Sequence, residues 1–306
     1  MSNMEPLRMI MDHNASEVRY SCGGWVKGLR RPIGVAYRVA CRVRVCALVL
    51  AFTYVGLPNA HAVAQDESPE DKGYRIAREA SARNDGFGDF TARMSMVLRD
   101  RKGRESVRKM RFKVLEVPDD GDKSLFLFDQ PRDVQGTALL THAHVNSEDD
   151  QWLYLPALKR VKRINASRRS GSFMGSEFTY EDMSPPEFEE YTYRFLREEP
   201  CGKLTCTVTE QIPLDEGSGY SRKVVWQDTA EFRTWKMELY DRKGSHLKSL
   251  SLVDYQLFLN RFWRAAEQTM VNHLTGASTT LQWSDFSFGN NLDDREFTRT
   301  ALRRSR

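Results

Sequence analysis

Residues 90–99 read FTARMSMVLR. Phe90, Ala92, Met94, Met96 and Leu98 fall on one side of an extended chain, and Thr91, Arg93, Ser95 and Val97 on the other. A period of two marks a strand with one buried face, whereas a helix would repeat its apolar residues every three or four positions. The run stops at Asp100-Arg-Lys-Gly-Arg104, a turn sequence, and alternation returns over 107–117. The same alternation predicts strands at 124–129, 136–144, 151–155, 160–164, 191–196, 204–212, 221–228, 232–240, 247–256, 263–272 and 278–288. Turn residues separate them, including a second Asp241-Arg-Lys-Gly-Ser245 and His273-Leu-Thr-Gly276. About a dozen short strands in series predict a mainly β, antiparallel barrel or sandwich rather than a parallel α/β fold. Two helices interrupt the pattern: a short amphipathic one over 73–84, and a second around 185–191, where Ser184-Pro-Pro-Glu187 resembles a capped helix start.

The chain has 306 residues and a formal charge of +4, but the charge is unevenly placed. Residues 1–64 hold eight Lys/Arg and three Asp/Glu, which leaves 38 basic and 39 acidic residues in the remainder. A near-neutral body lacks the uncompensated cations that nucleic-acid binding needs, so that class is excluded. The excess belongs to a leader, residues 1–64. There Arg42 and Arg44 precede the apolar run Val45-Cys-Ala-Leu-Val-Leu-Ala-Phe-Thr-Tyr-Val-Gly-Leu57, and the small-x-small sites Ala60-His-Ala62 and Ala62-Val-Ala64 follow. This is the pattern of a signal peptide, and it predicts export and cleavage. The apolar run falls short of the about 20 residues of an ordinary spanning helix, and an uncleaved anchor is the alternative. Residues 65–306 then form a single β domain.

Cysteine usage fits an exported protein. Cys22, Cys41 and Cys46 lie in the leader, and the body keeps Cys201 and Cys206, which flank a Gly-containing turn. A disulfide is predicted there in preference to a zinc site, because no second cysteine pair accompanies this one.

Signatures of catalysis are missing: no nucleophile elbow, phosphate loop, dinucleotide fingerprint or zinc-protease helix occurs. His142 and His144 share one face of a strand, but no third metal ligand is visible and a structural role is expected. Glu187, Glu189 and Glu190 read as a solvated helix face. No catalytic residue, metal or cofactor is assigned, and a binding protein is favoured over an enzyme.

The stretch QWLYLPALKRVKRI, residues 151–164, joins an apolar strand to a basic one, and Arg168 and Arg169 extend the charge. Trp152 and Tyr154 lie on one face of the strand and Leu153 and Leu155 on the other. The sequence Ser172-Phe-Met-Gly-Ser176 reads as a flexible apolar loop, followed by Phe178 and Tyr180 in an extended segment. A core hairpin with a basic edge is one reading. The other is a docking or lipid-facing element in which Trp152, Tyr154, Leu155, Arg168, Arg169, Phe173, Met174, Phe178 and Tyr180 meet a ligand or partner, with Phe173 and Met174 at least half exposed.

Residues 152–164 (WLYLPALKRVKRI) together with 170–183 (SGSFMGSEFTYEDM) resemble the outer-membrane lipoprotein-sorting family, LolA-like periplasmic proteins of Gram-negative bacteria. The likeness extends over about residues 73–288 and is sharpest at 152–183. It implies a curved antiparallel sheet, an incomplete or half β-barrel with a few covering helices, that binds acyl chains of a lipid or lipoprotein. It also implies a periplasmic carrier working beside an inner-membrane transporter of the resistance-nodulation-division (RND) type. The alternative of another class is a periplasmic sensor or scaffold that binds a protein segment in the same concavity. N-terminal sequencing of the mature protein is expected to begin at Val63 or Gln65; a retained apolar run on membrane-bound protein would refute the cleaved leader.

Overall fold

Two identical turns show how local sequence builds the hairpins. Asp100 Oδ1 accepts hydrogen bonds from the backbone of Lys102 (2.8 Å) and Arg104 (3.0 Å), and Gly103 supplies a φ of 79°. Asp241 Oδ1 does the same for Lys243 (2.9 Å) and Ser245 (2.8 Å), with Gly244 at 80°. The aspartate is needed because its carboxylate satisfies two turn amides at once, and glycine because the left-handed backbone excludes a Cβ.

The structure is a computed structural model that describes residues 67–145, 147–185 and 187–304. The leader, its cleavage sites and its three cysteines lie outside the described residues. Thirteen strands form: β1 (Asp89–Arg99), β2 (Glu105–Leu115), β3 (Lys123–Gln130), β4 (Ala138–His142), β5 (Asp150–Leu155), β6 (Arg160–Ile164), β7 (Tyr191–Cys201), β8 (Leu204–Pro213), β9 (Tyr220–Asp228), β10 (Thr234–Asp241), β11 (His246–Phe258), β12 (Phe262–Asn272) and β13 (Ser278–Phe288). They make one sheet in the order β6-β5-β4-β3-β2-β1-β13-β12-β11-β10-β9-β8-β7, every neighbouring pair antiparallel. The first strand lies mid-sheet; from it the chain meanders to one edge at β6, crosses to the opposite edge at β7, and meanders back until β13 pairs with β1. β6 and β7 do not pair with each other, so the sheet is an open half-barrel rather than a closed one.

Alternation assigns each residue to a face. Phe126, Phe128, Leu139 and Leu153 join Met94, Met110, Leu250, Leu252 and Leu281 in one large core, which draws on both halves of the sheet and so lies on its inner face. Leu125, Leu127, Ala138, Leu140 and Trp152 point the other way, where Phe297 and Leu302 of the C-terminal segment cover them. That segment is a 3-10 turn, Asp294–Phe297, with a capping box from Asp293 and Glu296, followed by the short helix α3 (Arg299–Leu302). At the other end of the sheet Cys201 and Cys206 form a disulfide across the β7–β8 turn, with Cα atoms 5.7 Å apart.

The helix α1 runs over Pro69–Ala82, with Ser68 as its N-cap and Pro69 in the first turn. It buries Gly73, Ile76, Ala77 and Ala80 and packs along β7. Small residues let it approach closely. A Cβ at Gly73 would stand 2.7 Å from the backbone N, Cα and C of Arg194. The helix expected at 185–191 is only a 3-10 turn, Phe188–Glu190, because Tyr191 is drawn into β7 and the Ser184 hydroxyl receives a hydrogen bond from Gln151 rather than capping. Gly73→Ala should destabilise the protein by about 1–3 kcal/mol through overpacking, even though alanine is the better helix former by about 1 kcal/mol; a melting temperature equal to the parent's would show that α1 can retreat.

Candidate functional site

The segment between β6 and β7 must travel from one sheet edge to the other, and it does so across the inner face. After the helical turn α2 (Ala166–Arg169) it makes a miniature hairpin closed by Ser172 pairing with Thr179. Phe173 N–H donates to the Phe178 carbonyl (2.8 Å), and Met174 and Gly175 turn the chain with φ of 51° and 77°. Two positive φ values in succession are those of a type I′ turn, which explains the glycine. The loop expected to be flexible is therefore a tight structural turn, held at several points. Lys248 Nζ donates to the Glu177 carbonyl (2.6 Å), Asn272 to the Glu177 carboxylate (2.7 Å), Glu177 N–H to Thr279 (3.0 Å), and Arg108 to the Met174 carbonyl. Further along, Gln151 holds the Tyr180 carbonyl (2.9 Å) from one half of the sheet, and Tyr220 holds Asp182 (2.9 Å) from the other.

This overturns the exposure expected of Phe173. Phe173 is fully buried, its ring against Phe128 (5.7 Å), Tyr180 (5.6 Å) and Phe126 (6.2 Å). Met174 is half-buried against the same core. The glycine and serine context signalled a turn, not exposure. Trp152 and Tyr154 face the C-terminal segment on the outer side, with the Arg299 guanidinium 5.7 Å from the Trp152 ring. Leu155 packs on the inner core beside the hairpin, and Arg168 is exposed. Of the nine residues expected at the site, Arg169 and Phe178 line the cavity described next. His142 Nε2 bonds the Phe297 carbonyl (2.7 Å), while His144 Nδ1 meets Asp120 (3.0 Å), so the two imidazoles serve different contacts.

The crossing segment fills the inner face over β3–β5 and leaves it open elsewhere. A cavity of about 1530 Å³ remains, walled by Met237, Leu239, Leu250 and Leu252 on β10–β11, by Leu281, Trp283 and Phe286 on β13, and by Phe90, Phe112 and Phe126 on the adjoining strands. Ala77 and Ala80 of α1 face it from the β7 side. The volume exceeds the roughly 300–1,000 Å³ of a typical small-molecule site.

Carboxylates gather where the crossing segment ends. Asp122, Asp149, Glu187 and Glu190 all line the cavity. Burial is the leading cause in each: it pushes Glu187 up to about 8, Glu190 up to about 7 and Asp122 up to about 6, and it raises Asp149. Mutual repulsion adds to this, with Asp122, Glu190 and Asp149 acting on Glu187. The Asp122 N–H donates to Glu187 Oε1 at 3.3 Å. The expectation of a solvated helix face is thus corrected: only Glu189 of the three is exposed. The sequence carried no sign of it, since burial here is imposed by β3 and β7 meeting the crossing segment. On the other flank, Arg169 is buried and paired with Asp215, and Lys223 Nζ donates to Tyr191 Oη (2.8 Å).

An outer membrane lipoprotein-sorting protein domain from Vibrio parahaemolyticus superposes with a TM-score of 0.75 and 50% identity, covering 76% of this chain and 99% of that one. The chain belongs to the outer-membrane lipoprotein-sorting protein family. A family model described only as an uncharacterized protein matches residues 120–304. Also similar is a DUF1329 family protein from Desulfovibrio piger, with a TM-score of 0.73, 26% identity and coverage of 77% of this chain and 99% of that one. A LolA superfamily protein from Nitrosomonas europaea shares the fold at 21% identity, with a TM-score of 0.61 and coverage of 75% and 98%. No curated protein matches the chain. The lipoprotein-sorting fold is a carrier and binding fold. Among the described residues no helix is long and apolar enough to cross a membrane.

Two outcomes are expected. Phe173→Ala should cost about 3–5 kcal/mol, read as a marked fall in the denaturant midpoint, because it empties a site enclosed by three rings. Glu187 holds its proton in the folded state up to about pH 8 but loses it near the ordinary 4.5 when unfolded. The folded state therefore binds more protons across that window, and stability falls as pH rises through it. Glu187→Gln should raise the melting temperature at about pH 9, leave it unchanged at about pH 4, and flatten the decline between; an unaltered slope would place the carboxyl in water.

Proposed function

We propose that this protein is a periplasmic carrier that shields a lipid, a lipoprotein acyl chain or another hydrophobic ligand in the half-barrel, and that hands it to or from an inner-membrane transporter of the RND type. The cavity of about 1530 Å³ carries the reading. Its walls come from strand faces that alternation makes apolar, and burying a chain there removes apolar surface from water at about 25 cal/mol per Å². A sensor that filled the concavity with its own side chains would leave no such volume. The charged leader with its short apolar run supports export, and the disulfide Cys201–Cys206 suits an oxidising compartment. The crossing segment and α1 are the two covers of the cavity. α1 is the better candidate to move, because beyond its packing on β7 it is tied to the sheet mainly by exposed polar contacts such as Lys72–Glu198 and Arg83–Glu231.

Protein purified from periplasm and extracted with organic solvent should yield a lipid-class molecule by mass spectrometry, in near-stoichiometric amount. Leu252→Arg, which places a charge on the cavity wall, should abolish that yield while the circular-dichroism spectrum stays β-rich. Absence of any extractable apolar molecule, together with failure to bind a fluorescent fatty-acyl probe, would refute the carrier reading.

A further inference from the structure

The large cavity adjoins a smaller one, about 490 Å³, where α1 ends against β10–β12. Leu252, Met237, Asn84 and Arg264 are among the residues that line both, so the two share a wall. The smaller chamber differs in charge. Its lining holds Arg83, Arg233, Arg261 and Arg264 against one carboxylate, Glu231, which is already paired with Arg83 at 3.3 Å. Arg233 is neutralised by Asp228 (2.8 Å). Arg261 and Arg264 have no carboxylate within ion-pair distance among the described residues. Arg261 donates to the Ala82 carbonyl (3.2 Å), and Arg264 to Asn84 Oδ1 and the Trp263 carbonyl (3.0 Å each).

Arg264 is the more unusual of the two. Its guanidinium lies 5.3–5.9 Å from the rings of Phe90, Phe87, Phe262 and Phe288. Aromatic faces hold a cation in place but do not neutralise it, and burial holds this guanidinium down to about 10, against the pull of Asp122 and Glu116. Arg264 is half-buried, and the carboxylates that pull on it, Asp122 and Glu116, lie beyond ion-pair distance, so an anion delivered to it gains a direct charged partner. Planar guanidiniums also match the forked oxygens of a carboxylate or phosphate.

Resting on the carrier reading above, we infer that the ligand is an anionic amphiphile: its apolar part occupies the large cavity, and its carboxylate or phosphate head is held by Arg264 and Arg261 in the smaller chamber. The acidic residues Asp122, Glu187 and Glu190 line the large cavity but not this chamber, and of the other cations lining the large cavity Arg169 is paired with Asp215 and Lys223 donates to Tyr191 Oη.

The test measures binding of palmitate, methyl palmitate, hexadecylamine and inorganic phosphate to delipidated protein by titration calorimetry. Palmitate should bind at least about tenfold more tightly than its methyl ester, the gain of one or two charge-assisted hydrogen bonds. The double change Arg261→Gln with Arg264→Gln should erase that advantage and leave methyl palmitate unaffected. Arg264→Lys should keep part of it, and Arg261→Gln alone, at an exposed side chain, should reduce it. Equal binding of acid and ester, an advantage that survives the double change, or tighter binding of the amine would overturn the inference while leaving the carrier standing. Displacement of palmitate by equimolar phosphate would make the chamber a site for a free anion and overturn it as well. Failure of every long-chain probe to bind would remove the carrier reading itself.

Discussion

An antiparallel sheet that grows outward from its first strand and returns from the far edge leaves its two edges to be joined by one connection. Here that connection runs from β6 to β7 across the inner face, and the rest of the structure depends on it. A backbone laid across an apolar concavity cannot leave its amides and carbonyls unpaired, since each such group would cost about as much as a lost hydrogen bond. The segment solves this internally through the Phe173–Phe178 hairpin, and externally through Lys248, Asn272, Thr279, Arg108 and Gln151. These anchors come from β2, β5, β11, β12 and β13, so the segment ties the two half-sheets together.

The same crossing decides where a ligand can go. By filling the concavity over β3–β5 with Phe173 and Phe178, it leaves the remaining space over β10–β13 under α1. Its end brings Glu187 and Glu190 together with Asp122 and Asp149, where burial raises all four carboxyls above their ordinary range. Where α1 ends, its short side chains give way to Arg83 and Asn84, and the adjoining smaller cavity is lined by Arg83, Arg233, Arg261 and Arg264.

Strand existence was legible because alternation is enforced wherever one face is buried: β1, β6 and β13 are found where the pattern places them, to within a residue or two. The paired Asp-Arg-Lys-Gly turns were legible because their chemistry is local. The family resemblance at 152–183 was also legible, and within that stretch Phe173 packs in the core while Arg169 and Phe178 line the cavity. Phe173 was misread because large apolar residues flanked by glycine and serine are compatible with either an exposed loop or a tight turn, and only the surrounding rings of Phe126, Phe128 and Tyr180 distinguish them. Alternation separated Trp152 from Leu153 without labelling which face is inside, and only the C-terminal segment packed on Trp152 marks its face as the outer one.

Composition, alternation and turn chemistry were thus enough to specify a long antiparallel β-sheet and its hairpins, since each depends on contacts between near neighbours in the chain. The order of strands, the open edges, the outer cover on Trp152, the raised carboxyls and the caged Arg264 were decided only in three dimensions. Each requires residues far apart in sequence, such as Asp122 with Glu187 or Phe90 with Arg264, to meet in partly buried surroundings. Burial of a charge is a property of those surroundings, not of the residue that carries it.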